Sequence, residues 1–210
     1  MVSKVISLQD VEDLEQCIED GGVAVFPTDT VYGLCCDPNN HKAAEKLYAL
    51  KGRPSERPAA VMFFSLSQAL ETLNLQGKEQ KAAEALLPGA LTLLLPNYNN
   101  LFLEACKLDP TTVGLRVPQF PENLSSFSSL SIPVMQSSCN LSGAADIREI
   151  NEVPPSILEG VDLILDGGEL PGTSSTIIDL RHYETGWKVI REGAYPVSLA
   201  NDVLQTIHDE

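Results

Sequence analysis

Several chemistries are excluded by what this 210-residue chain lacks. Its five cysteines (Cys17, Cys35, Cys36, Cys106, Cys139) are odd in number and show no C-x-x-C spacing, and its three histidines (His41, His182, His208) lie far from them. Neither a zinc site nor a disulfide framework is indicated. There is no G-x-S-x-G elbow, and no histidine is placed in sequence as a partner for a nucleophilic Cys139, which argues against covalent hydrolase chemistry. No apolar run approaches the ~18 residues of a membrane span, and no basic-then-apolar leader follows Met1. The expectation is a cytosolic chain without membrane contact. Positive charge is also scarce: 14 Lys and Arg stand against 29 Asp and Glu, for a net charge of -15. Such a chain opposes non-specific binding to nucleic acid, which draws its free energy from neutralised phosphates, so any RNA contact must be local.

The hydrophobic content of 43% is ordinary for a globular protein, and the length suits one core. We read one domain over 1–210, with no repeat and no linker. The pattern predicts strands at Val2–Ile6, Val23–Phe26, Pro58–Phe64, Leu91–Leu95, Val113–Val117, Val161–Leu165, Thr176–Leu180 and Trp187–Ile190. Between them, helices are expected after a Ser7–Asp10 capping box, from about Lys42 to Leu50, over Leu66–Leu73, Lys78–Leu87 and Glu122–Leu130, and at Val197–His208. Several strands are continuous apolar runs, as in strands covered on both faces. The last two, joined by a short Glu-Thr-Gly loop, should be antiparallel. The sum is an α/β fold with a twisted, mixed parallel and antiparallel sheet flanked by helices.

Four polar loops adjoin apolar strands, where open sheets present their ligand crevice. They are Thr28–Gly33, Lys51–Arg57, Ser137–Gly143 and Gly167–Thr176, with Arg191 beyond the last. Lys51 and Arg53 admit two readings, a site for an anion or the solvated basic end of a helix. Gly167 and Gly172 have P-loop spacing, but Thr173 stands where the lysine belongs and a strand follows, so this is no Walker motif. The same loop reads equally as a glycine turn. The third loop reads either as a donor-rich binding loop or as a capping turn.

Taken together, Phe26-Pro-Thr-Asp-Thr-Val-Tyr-Gly33, Lys51-Gly-Arg-Pro54, Pro88-Gly-Ala-Leu-Thr92, Gly114-Leu-Arg-Val-Pro118, Ser138-Cys-Asn-Leu-Ser-Gly143, Ser175-Thr176 and Ile190-Arg-Glu-Gly193 resemble, in this order, the motifs of the YrdC-like threonylcarbamoyl-AMP synthases, in their short, single-domain form. The resemblance implies formation of L-threonylcarbamoyl-AMP and pyrophosphate from L-threonine, bicarbonate or CO2, and ATP. In that family this is the first step of tRNA threonylcarbamoyladenosine modification, so tRNA or tRNA-modifying proteins are implied partners. It further implies catalytic roles for Lys51 and Arg53, a threonine site at Thr30, Arg116 and Ser175, and ATP contacts from Lys51, Arg53, Arg57, Thr112, Ser138, Asn140 and Arg191. Magnesium would accompany the ATP phosphates. Tyr32 would wall the pocket or serve as a core tyrosine. Where the family has a neutral residue, a histidine and a small residue, this chain has Arg57, Met62 and Gln136. The alternatives these departures leave open are a non-catalytic RNA- or nucleotide-binding module, and carbamoyl transfer to another amine.

Overall fold

The computed structural model describes residues 4–6, 11–52, 58–107 and 109–210. The expected capping box at Ser7–Asp10 and the residues Arg53 and Arg57 lie outside them. In chain order come β1 (Lys4–Ile6), α1 (Val11–Glu19), β2 (Ala24–Phe26), β3 (Gly33–Cys36), α2 (His41–Lys51), β4 (Ala60–Met62), α3 (Leu66–Leu73), α4 (Gly77–Leu86) and β5 (Leu91–Pro96). There follow α5 (Leu103–Cys106), β6 (Thr112–Arg116), a 3-10 segment Glu122–Ser129, β7 (Val134–Ser138), α6 (Pro155–Gly160), β8 (Leu163–Leu165), β9 (Thr176–Asp179), β10 (Lys188–Arg191) and α7 (Val197–His208).

The ten strands among the described residues join one mixed sheet in the order β1-β8-β2-β3-β7-β4-β6-β5-β9-β10. β8 runs parallel to β1 and β2, β4 to β6, and β5 to β9, while the remaining pairs, β9–β10 included, are antiparallel. The apolar stripe of α1, Val11, Leu14 and Ile18, is buried at helical spacing. α2 begins where the Asn40 side chain accepts from the Ala43 N–H, and ends at Gly52, whose φ of 57° is the left-handed conformation that glycine adopts at no steric cost. α4 packs on α7, and α2 lies against β3 and α6.

The principal correction is β3. Gly33–Cys36 reads in sequence as the end of a turn and its sequel, yet it is a fully buried strand between β2 and β7. Burial on both faces removes the polar–apolar alternation by which a short strand is recognised. β7 was not expected either, its last two residues, Ser137 and Ser138, having been read as the start of the third loop, nor were the four-residue α5 and six-residue α6, and Glu122–Leu130 is a 3-10 segment rather than an α-helix.

The register positions the site. Ala60 of β4 lies opposite Gln136 of β7 on one side and Gly114 of β6 on the other, and Gly114 lies opposite Leu94 of β5. Residues opposite one another share a face, so these four project together, with Ser138, Thr112 and Arg116, each two residues along, on the same side. Ala60 and Gly114 offer a methyl group and no side chain at all. The sheet therefore has a bare floor in its middle.

Candidate functional site

Over that floor is a cavity of about 330 Å³, lined from the first loop by Val31, beside the second by Pro58, from the third by Ser137 and Ser138, and from the fourth by Ser174 and Ser175, with Arg116, Gln136 and Arg191. Its walls are stitched by backbone bonds between loops: Cys139 N–H donates to the Tyr32 carbonyl at 2.8 Å, and Gly172 N–H to the Thr30 carbonyl at 2.9 Å. Tyr32 itself is fully buried and takes no part in the lining. Its hydroxyl sits 3.0 Å from Asp166 Oδ1 and 2.9 Å from the Gly168 carbonyl, and accepts from Gly167 N–H, so it ties the first loop to the fourth as a core tyrosine.

Arg116, at the end of β6, is 3% exposed. Its Nη2 donates to the Asp29 carboxylate in a buried ion pair, and both terminal nitrogens approach Thr30 Oγ1 at 3.3 to 3.4 Å. Its Nε has no partner, the one side-chain N or O atom wholly closed off from solvent among the described residues of which this is true. Burial raises the Asp29 carboxyl above its ordinary value, with Arg116 working in the opposite direction. The same burial lowers the Arg116 guanidinium, with Asp29 opposing, but a guanidinium keeps its proton. Sequence reasoning named Thr30 and Arg116 and passed over Asp29, although a carboxylate between two threonines in a buried turn is itself a sign that a cation must be near.

Lys51, the last residue of α2, is 4% exposed and does not line the cavity. Its ammonium donates to the Ser138 carbonyl, to Ser138 Oγ at 3.1 Å, and to the carbonyl and Oδ1 of Asn140 at 2.9 Å each. Ser138 Oγ donates in turn to Asn140 Oδ1 at 2.6 Å, and Ser142 N–H caps the Lys51 carbonyl at 3.1 Å. The third loop is thus wrapped around the helix exit. An ammonium has three protons, and here four protein oxygens receive them.

Ser175 is buried and hydrogen-bonded to Thr92 across 2.8 Å. Arg191 donates to the Ser175 carbonyl from Nε and Nη2, at 3.1 and 2.8 Å. Ser174 donates to Asp146. Thr92 was missed as a site residue, though a single hydroxyl in the apolar run Leu91-Thr-Leu-Leu-Leu95 was a legible signal. At the other end of the cavity, Thr112 Oγ1 donates to Asp109, and Arg181 bridges Asp109 and Asp179. This cluster was not foreseen, because its members lie some 70 residues apart in the chain.

The thiols supply no nucleophile. Burial pushes Cys139 up to about 12 and Cys106, in the cavity wall, up to about 11. Met62, where a histidine was expected by resemblance, is wholly buried in the core. No cluster of three metal-ligating side chains occurs among the described residues, nor is any of their helices long and apolar enough to cross a membrane.

This arrangement, a twisted mixed sheet carrying a hydroxyl-rich cavity between loops, defines a known class of fold. The profile of the Sua5/YciO/YrdC family, described as "Telomere recombination", matches residues 16–193, and the chain belongs to that family. It is 34% identical to the threonylcarbamoyl-AMP synthase of Bacillus subtilis over 77% of its own length and 47% of that protein's. It is 32% identical to the threonylcarbamoyl-AMP synthase of Marinobacter nauticus, over 79% of its length and 88% of that protein's. The crystal structure of Pyrococcus abyssi Sua5 complexed with L-threonine superposes with a TM-score of 0.80 at 27% identity, covering 96% of this chain and 61% of that one. The chain thus spans about half the length of the Bacillus relative and most of the Marinobacter one.

Proposed function

We propose that this protein is an L-threonylcarbamoyladenylate synthase, acting at the first step of tRNA threonylcarbamoyladenosine formation. One observation carries the reading: Arg116, a buried cation with its Nε–H left unpaired, lines a cavity that also presents the hydroxyl residues Thr92, Thr112, Ser138 and Ser175. An unpaired buried N–H costs roughly 1–3 kcal/mol, and an amino-acid carboxylate would relieve it while adding a charge-assisted bond. The L-threonine complex of the Pyrococcus relative supports an amino acid as that ligand.

In the proposed reaction the threonine amine forms an N–C bond to bicarbonate and water leaves, giving the carbamate. A carbamate oxygen then attacks the α-phosphorus of ATP, and the bond from that phosphorus to the bridging oxygen breaks, so that pyrophosphate departs with the electron pair. The substrate supplies its own nucleophile, in keeping with thiols held protonated by burial. The protein's part is positioning and charge stabilisation. Thr30, Arg116 and Ser175 would hold threonine. Arg191, Thr112, Ser138 and Asn140 would meet the nucleotide, with Lys51 fixing the loop that carries the last two. Arg53 and Arg57 belong to the same proposed nucleotide set. Magnesium would enter as part of the MgATP substrate, coordinated by phosphate oxygens and water.

The test is threonine-dependent pyrophosphate release from ATP in the presence of labelled bicarbonate, with the label recovered in an adenylate. Release that is equal with and without threonine, or equal in wild type and Arg116→Ala, refutes the reading.

A further inference from the structure

A second polar group in the cavity has no partner. Gln136 is 6% exposed and lines the cavity, and its carboxamide makes no hydrogen bond among the described residues. Its Nε2 lies 2.8 Å from where a Cβ at Gly33 would stand, so the carboxamide rests close against the bare backbone of that glycine. On the other flank are the methyl of Ala60 and the bare backbone of Gly114. Ala60 and Gly114 thus leave the floor between Gln136 and Arg116, both of which line the cavity, free of side-chain bulk.

The chemistry of the two groups differs. The Arg116 guanidinium is a cationic donor and suits a carboxylate. A carboxamide has two N–H donors and one carbonyl acceptor. A carboxylate leaves that acceptor unused, and an ammonium leaves the donors unused. A carbamate satisfies both, since its oxygens accept and its N–H donates. We propose that Gln136 is a binding residue for the carbamate of the substrate amino acid, holding the bicarbonate-derived group while Arg116 holds the carboxylate. This rests on the synthase reading and adds to it a residue specific to this chain's cavity.

Two variants, Gln136→Leu and Gln136→Ala, test the proposal, the second removing the group without adding bulk. Threonine affinity is measured by calorimetry in CO2-depleted buffer and again with saturating bicarbonate, ATP affinity serves as the folding control, and turnover is titrated with bicarbonate. Wild type should bind threonine more tightly with bicarbonate. Both variants should lose that tightening and show an apparent KM for bicarbonate raised about tenfold, with ATP affinity and CO2-depleted threonine affinity changed less than about twofold. Variants with wild-type bicarbonate dependence overturn the proposal alone, as do variants that lose threonine affinity equally in both buffers. Wild-type protein that binds no threonine in either buffer overturns the synthase reading and this proposal with it.

Discussion

Two buried cations stand at two corners of the same site, and their surroundings are opposite. The Lys51 ammonium is enclosed by oxygens of Ser138 and Asn140 that outnumber its protons. The Arg116 guanidinium has a carboxylate and a threonine hydroxyl, and still keeps one N–H unsatisfied. A buried charge must be paired, and how completely it is paired separates a structural clasp from a ligand grip. By this criterion the proposed synthase would use Lys51 to hold a loop in shape and Arg116 to receive an anion. In sequence the resemblance gave Lys51 a catalytic and ATP-binding role and Arg116 a place in the threonine site, with nothing to show how each is paired.

The largest effect should come from breaking the clasp. Lys51→Met leaves several buried oxygens without donors and should lower unfolding free energy by about 3 kcal/mol, read as a shift of the urea midpoint at unchanged slope. A variant of wild-type stability that has nonetheless lost turnover would place Lys51 on the ligand and dissolve the comparison. At the other corner, removing Arg116 alone would strand Asp29 as an unpaired buried charge, so the informative variant is the double one, Asp29→Asn with Arg116→Gln. It should fold, and its KM for threonine should rise ~30–150-fold, about 2–3 kcal/mol, with KM for ATP within threefold of wild type. Loss of ATP binding with threonine spared would reverse the assignment of ligands to corners.

Most strands were legible because a sheet covered on both faces writes itself as apolar runs bounded by glycine and proline. Leu66–Leu73 and Val197–His208 match their helices residue for residue. β3 failed because four buried residues beginning with glycine carry no period at all. Of the site, Thr30, Arg116, Ser175, Ser138 and Arg191 line the cavity or bond to residues that do. What sequence could not supply was partnership. Asp29 and Arg116 are 87 positions apart, and nothing local in either motif says that one neutralises the other. Likewise Gln136 appeared only as a departure from a resemblance, because its lack of a partner becomes visible only once Gly33, Ala60 and Gly114 surround it.

A smaller effect follows from Asp29 alone. Asp29→Asn keeps the shape of the contact while removing a negative charge from beside the proposed ligand carboxylate. Two consequences oppose each other: Arg116 attracts the ligand more strongly, and it is held less firmly. For binding the first should win or balance, because a buried like charge is lifted; for turnover the second should, because misplacement weighs most in the transition state. KM for threonine should therefore stay within threefold while kcat falls about tenfold. A rise in KM with kcat intact would mean that Asp29 touches the substrate itself.

The smallest effect lies at the rim and in the pH dependence of stability. The Asp179 carboxyl is lowered chiefly by its hydrogen bonds from Arg181, and that of Asp109 chiefly by the Thr111 and Thr112 hydroxyls, with Arg181 adding to it. Carboxyls lowered in the folded state bind fewer protons there than in the unfolded chain. The stability they contribute is complete above the unfolded value of about 4 and is lost as pH falls through the folded values. Asp29 has the opposite sign. Its carboxyl is raised by burial, so its contribution is complete below about 4 and is lost as pH rises through the folded value. Arg181→Met should consequently flatten the climb in stability below about pH 4. It should cost no more than about 1 kcal/mol at pH 7, because Arg181 is 36% exposed and its pairing is screened by water. Asp29→Asn should instead steepen the climb above about pH 4. Chemical unfolding of the two variants across this range reads both slopes. Curves that change in the same direction would show that the buried pair at Arg116 behaves like a surface one, and that the unpaired Nε is no mark of a corner built for a ligand.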